Sequence, residues 1–167
     1  MAEHDPKNSA ARRARTAEGP TGEASQPRHA LLGWRLLSLL YDLFPALGLW
    51  FAVGALAVLL NDGQPVRADT PAGWLEMIAL WLVTGAYATI SWRRGGQTLG
   101  MRPWRLRVEA ADGTRPSWRA VAIRYCVGAA SLLFAGLGFW WALIDRDSLT
   151  WHDRASGTRV RRETKAA

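Results

Sequence analysis

The sequence predicts an all-α membrane protein: three membrane-embedded apolar helical segments, the third kinked or re-entrant, with a small cytoplasmic β-hairpin between the second and third. Three observations carry this expectation. The apolar residues of the 167-residue chain are gathered into blocks about one bilayer long, although its overall hydropathy is near neutral. The charged residues fill the gaps between those blocks. Of the ten tryptophans, Trp34, Trp74, Trp92, Trp118, Trp140 and Trp141 fall near block ends, where amphipathic indole rings settle at a membrane interface.

A formal charge of +7 suits two partners, nucleic acid or anionic lipid. The arginines flank the apolar blocks and form no single stripe. A bilayer with anionic headgroups is therefore the expected partner, and nucleic acid is not.

Residues 1–30 carry Pro, Gly, Ser, Ala and mixed charge with almost nothing to bury, and read as a disordered tail. The first apolar block comes too late and runs too long for a cleavable signal peptide, so none is predicted. Residues 31–160 read as the membrane domain and 161–167 as a charged C-terminal tail. Within the first block, 31–60, the stretch 39–60 is long enough to span and 31–38 is an interfacial lead-in. Asn61-Asp62-Gly63-Gln64-Pro65 is a turn signal. The second block, 74–92, ends abruptly at Arg93-Arg94-Gly95-Gly96. In the polar stretch that follows, Leu106-Arg107-Val108-Glu109 alternates and Asp112-Gly113 supplies a tight turn, which predicts the hairpin. Its Arg102, Arg105, Arg107 and Arg115 are expected to face phosphate headgroups. The third block, 120–144, contains Ala135-Gly136-Leu137-Gly138, whose glycines weaken helix continuity.

Loop 61–73 carries only Arg67, whereas 93–119 carries seven arginines. The bias of basic residues toward the cytoplasm then places 93–119 and the N-terminus inside. A third block that crossed fully would carry the basic tail after residue 145 outside. A re-entrant third block, folded back near Gly136, removes the conflict, since irregular backbone is tolerated where other helices bury it.

Arg35 and Asp42 lie seven apart, so they share a helix face about 10 Å along the axis. That is too far for direct contact unless Arg35 folds back. A carboxylate one turn inside the hydrocarbon boundary costs about 2.5–3.5 kcal/mol and needs a partner or water. Pro45 cannot donate to the Tyr41 carbonyl, and a freed carbonyl beside Asp42 resembles the cation or proton sites of broken transporter helices. The structural alternative is that Asp42 pairs with Arg124. Glu76 is expected to reach the outer interface, and Thr84, Tyr87 and Thr89 to supply interhelical hydrogen bonds. Cys126, the single cysteine, reads as a small buried hydrophobe.

Several stretches together resemble the RDD family. Arg35 to Asp42, in Arg-Leu-Leu-Ser-Leu-Leu-Tyr-Asp, is similar to that family's first-helix Arg and Asp. Gly96-Gln97-Thr98-Leu99-Gly100-Met101, followed by Arg105-Leu106-Arg107-Val108 and Asp112-Gly113, resembles its loop signature. Arg124 and His152-Asp153-Arg154-Ala155-Ser156-Gly157-Thr158 resemble its closing motif, with Asp153 mapping onto the second naming aspartate. Met101 stands where Lys is common, and Ser156 where a small or apolar residue is usual. The resemblance implies a multi-pass protein of the bacterial cytoplasmic (inner) membrane, in a family associated with transport and in some members with sodium/proton exchange. Physically, Gly96 and Gly100 turn the chain after the second helix, Gln97 and Thr98 cap backbone groups there, and Asp153 is expected to pair with Arg94, Arg102 or Arg105.

No cofactor, metal or enzymatic activity is expected. The Gly-Lys-Ser/Thr of a phosphate-binding loop is missing. His152 has no second histidine at ligand spacing, and Ser156, His152 and Asp153 stand too close in sequence for triad geometry. Two functions remain. The chain takes part in transport of a small cation as a homo-oligomer or subunit, with Arg35, Asp42, Arg124 and Asp153 as its charge network. Alternatively, it is a non-transporting module that assembles or stabilises a partner membrane protein.

Overall fold

The computed structural model describes residues 28–163, with side chains from Leu32 onward. The tail expected over 1–30 lies outside them, save residues 28–30, which form the first turn of helix α1. The last residues, 164–167, also lie outside. In chain order come α1 (Arg28–Leu60), α2 (Pro71–Gly95), β1 (Leu106–Ala110), α3 (Trp118–Leu133), α4 (Leu137–Ile144), α5 (Trp151–Ser156) and β2 (Thr158–Arg162).

Leu32–Leu60 and Pro71–Gly95, 29 and 25 residues, are long and apolar enough to cross a membrane. At 1.5 Å per residue they reach about 43 and 37 Å, against a hydrocarbon core of about 30 Å. Pro45 lies within α1 and does not end it. The lead-in and the span are thus one continuous helix. Much of the α1 surface is apolar and uncovered, with Phe44 73 %, Phe51 79 % and Leu60 78 % exposed. α2 starts on an N-cap, Thr70, with Pro71 in the first turn, and ends at Gly96 in the left-handed conformation.

The third block is not one helix. α3 and α4 meet at an angle of 98° across a short break, where Ala135 and Gly136 both take positive φ. Gly136 tolerates that conformation freely, whereas Ala135 does so at a steric cost. Ser131, fully buried, spans the break by accepting the Gly138 N–H at 2.9 Å. With 16 residues, α3 alone is about 24 Å long. The chain then returns, and α5 packs along α3.

The expected antiparallel strand pair is present, but its second strand is β2. The turn at Asp112-Gly113 does form, with Gly113 N–H bonded to the Ala110 carbonyl. The segment after it, however, makes one bond back, Ala110 N–H to the Thr114 carbonyl at 2.9 Å, and then runs through Pro116 into α3 without forming a strand. β1 instead pairs with residues 158–162, in the register Leu106↔Arg162, Val108↔Val160 and Ala110↔Thr158. Two strands alone are marginal. Their inward residues Leu106, Val108 and Val160, with Met101, form a small core covered by Trp34, Trp92 and Trp104. This pairing fixes the C-terminal strand and the 93–119 loop at the same end of the helices. Two residues that had read as tail, Arg161 and Arg162, belong to β2.

Candidate functional site

The residues singled out from sequence fall into two clusters two turns apart along α1. The first is built on α5. Thr150 caps this helix by accepting the Asp153 N–H, while the Asp153 carboxylate accepts the Thr150 N–H at 3.1 Å, a reciprocal capping box. The same carboxylate accepts Arg35 Nη1 from α1 at 2.7 Å and Arg124 Nη1 from α3 at 2.5 Å. Arg124 Nη1 also donates to Thr158 Oγ1, at the start of β2, at 2.7 Å. Asp153, Arg124 and Arg35 are 1, 4 and 8 % exposed. One buried carboxylate thereby ties the C-terminal segment to α1 and α3. The Arg124 guanidinium also lies over the Trp92 ring, 5.4 Å from its centroid.

This arrangement corrects two expected pairings. Asp153 does not meet Arg94, Arg102 or Arg105; Arg94, Arg102 and Arg105 are exposed, and the buried guanidiniums of Arg35 and Arg124 hold it instead. Arg124 accordingly does not pair with Asp42. The physical reason is depth. Charged groups out of water demand partners at short range, and Arg35 and Arg124 are the guanidiniums buried against Asp153.

The second cluster surrounds Asp42. Its Oδ1 accepts from the Tyr87 hydroxyl at 2.8 Å and from the Gly100 N–H at 2.9 Å, and its Oδ2 accepts from the Thr98 hydroxyl at 2.5 Å. The Tyr87 oxygen in turn accepts the Leu99 N–H at 3.0 Å. The loop signature is thus a strap pulled onto α1 by one carboxylate. Gly100 is needed because the strap's backbone rests on the α1 backbone: a Cβ there would overlap the Ser38 carbonyl oxygen and the Asp42 nitrogen. Thr98 was expected to cap backbone; its hydroxyl serves Asp42 instead. Gln97 is half-buried beside this network.

Burial works against the Asp153 carboxylate, yet Arg124 and Arg35 outweigh it and hold the group below the usual carboxylate range. Burial, with repulsion from Arg124, pushes His152 down to about 3. A histidine with a depressed folded value leaves the unfolded chain binding more protons between about pH 6.5 and 3, so folding free energy is lost as pH falls through that window. The slope reaches about 1.4 kcal/mol per pH unit. Since His152 packs against Phe139 at 4.8 Å, His152→Phe should fit and flatten the acid-side decline. Melting temperatures of the detergent-solubilised protein from pH 7 to 4 check this, and an unchanged slope in the variant counts against the assignment.

The remaining residues take supporting places. Arg154 turns outward, 2.5 Å from Asp145, and Gly157 caps α5 in the left-handed conformation. Thr84 accepts Trp50 Nε1 from α1 at 2.8 Å, the interhelical bond expected of it. Thr89 bonds only the Gly85 and Ala86 carbonyls of its own helix. Glu76 lies against Gly54. Cys126 is exposed, not buried as expected, because it sits on the outer face of α3. Tyr87 and Trp92 were not read from sequence as parts of the charge clusters. α5 was missed as well, although Thr150-Trp151-His152-Asp153 has the capping-box spacing that signals a helix start.

Comparison with known proteins supplies two findings. The model of the RDD family matches residues 29–157. The cytochrome c-type biogenesis protein ccl1 of Rhodobacter capsulatus is 33 % identical over 115 residues, covering 67 % of this chain but 15 % of that protein's length. No solved structure matches.

Proposed function

Because this chain belongs to the RDD family, we propose that it is a multi-pass module of the bacterial inner membrane, and that it assembles or stabilises a partner membrane protein rather than carrying ions. α1 and α2 cross the bilayer. α3 and α4 re-enter from the cytoplasmic side, where the N-terminus, the 93–119 loop and β2 all lie. Exposed Arg102, Arg105, Arg115 and Arg159 meet anionic headgroups there. The observation that carries the non-transporting reading is the commitment of both motif carboxylates. Asp42 accepts three internal hydrogen bonds, and Asp153 two guanidiniums and a backbone N–H. An ion-handling carboxylate needs free lone pairs at some point in its cycle, and on each of these groups three of about four acceptor sites are already committed to holding the fold. The match to a short part of a longer biogenesis protein supports a module that works beside other membrane segments, through a partner or a homo-oligomer.

A specific observation favours a second reading, transport of a small cation: Asp42 lines a cavity between the helices. The two are separated by reconstitution. Proteoliposomes of the wild type should show no sodium-dependent proton movement above empty liposomes. Asp42→Asn, whose amide can still meet the Thr98 hydroxyl, should lose about 1–2 kcal/mol of stability and nothing else. Sodium-dependent flux in the wild type, abolished in a folded Asp42→Asn variant, overturns the module reading.

A further inference from the structure

α1, α2 and α3 border a half-open cavity of about 400 Å3, within the size range of small-molecule sites. Most of its wall is hydrocarbon, including Leu39, Leu43, Ala129, Leu132 and Phe139. Arg35, Trp92, Arg124 and His152 also line it, and each carries a buried nitrogen with no partner: Nε of both arginines, Nε1 of Trp92 and Nδ1 of His152. Arg35, Arg124 and His152 are themselves more than nine-tenths buried. Buried N–H groups are rarely left unpaired, so the three certain donors, Nε of Arg35 and Arg124 and Nε1 of Trp92, mark a surplus of donor capacity just behind the chamber's wall.

The charges lean the same way. At this end two guanidiniums face the single carboxylate of Asp153. The carboxylate that does line the wall, Asp42, lies about 10 Å along α1 and already has three donors of its own. The cavity thus joins an apolar chamber to a cationic, donor-rich end. A metal ion finds no welcome at that end; an acid group on a hydrocarbon tail does.

We propose that the cavity binds one anionic amphiphile, a hydrocarbon chain ending in a phosphate or carboxylate. The acid group sits at Arg35, Trp92, Arg124 and His152, and the chain lies along Leu39, Leu43, Leu132 and Phe139. Both a bilayer phospholipid and a free fatty acid have this chemistry. The proposal rests on the membrane placement above and adds a ligand to it.

The test is native mass spectrometry of the full chain, delipidated in mild detergent and titrated with phosphatidylglycerol, palmitate, phosphatidylcholine and inorganic phosphate. Phosphatidylglycerol or palmitate should bind at least about tenfold tighter than phosphatidylcholine and than inorganic phosphate, and whichever binds identifies the source. Leu132→Trp and Ala129→Phe fill the apolar chamber, and Trp92→Phe removes one donor while keeping a ring under Arg124. Each should weaken the anionic amphiphile about tenfold in protein of native melting temperature. Equal binding of phosphatidylglycerol and phosphatidylcholine, binding of inorganic phosphate as tight as the amphiphile, or unchanged affinity in all the folded variants overturns the proposal. Carbonate extraction of membranes separates the two claims. A chain released by carbonate sinks the membrane placement, whereas one retained but indifferent to headgroup charge sinks only the ligand.

Discussion

Asp153→Ala should be among the most damaging single substitutions in the chain. It removes the one carboxylate between Arg35 and Arg124 and leaves two guanidiniums buried without a counter-charge, a defect that costs about 3–5 kcal/mol. The capping box of α5 goes with it, adding about 1 kcal/mol. Against a typical stability of about 5–15 kcal/mol, the variant should be largely lost from membranes. Thermal unfolding followed by size exclusion in detergent measures the shift. The diagnosis has an internal check. With Arg35→Met and Arg124→Met already in place, Asp153→Leu should recover part of the loss, because an apolar cluster of similar volume removes the stranded charges. A melting point for Asp153→Ala close to that of the wild type would mean that the buried triad is not what closes the fold.

Gly100→Ala should be nearly as severe, from the addition of one methyl group. Its Cβ would meet the Ser38 carbonyl oxygen and the Asp42 nitrogen, which are helix backbone and cannot swing away, and the Asp42 side-chain carbon. The strap must lift, and Gly100 N–H and Thr98 then leave Asp42 with Tyr87 alone. Overpacking and an under-satisfied carboxylate together cost about 3 kcal/mol or more. Gly95→Ala is the matched control: nothing lies within 4 Å of a Cβ there, so its stability should stay within about 0.5 kcal/mol of the wild type or rise slightly. Equal losses at the two positions would contradict the close-approach argument.

These two sites show what was legible in the sequence. The long helices were, because hydrophobic length is a local property of the chain and a bilayer sets its scale. The break at Gly136 was readable from two glycines in an apolar run. The residues of the charge clusters could be named from motif and burial cost, but their pairing could not. Arg35 and Asp153 are 118 positions apart, and nothing local says whether Asp42 or Asp153 receives Arg124. The pairing is decided by depth, which depends on how far α3 runs before it turns and on where α5 packs. The same non-local step hid the partner of β1. Alternation marked the strand and Asp112-Gly113 marked a turn, yet β2 arrives from the far end of the chain because the bent α3–α4 pair and α5 bring it back. The capping box at Thr150 was local and readable, and went unread because the tail's charge made it look unstructured.

The most direct test of this account is the side of the membrane on which β2 lies. With Cys126 replaced by Ala, single cysteines at Asp112 in the loop after β1, at Arg159 in β2 and at Asn61 in the loop between α1 and α2 would be labelled with a membrane-impermeant thiol reagent on intact spheroplasts. The account predicts that Asn61→Cys reacts at once, while Asp112→Cys and Arg159→Cys react only after lysis. Labelling of Arg159→Cys in intact spheroplasts, with Asp112→Cys protected, would separate β1 from β2 across the bilayer. The re-entrant segment and the Arg35–Asp153–Arg124 lock would then fall together.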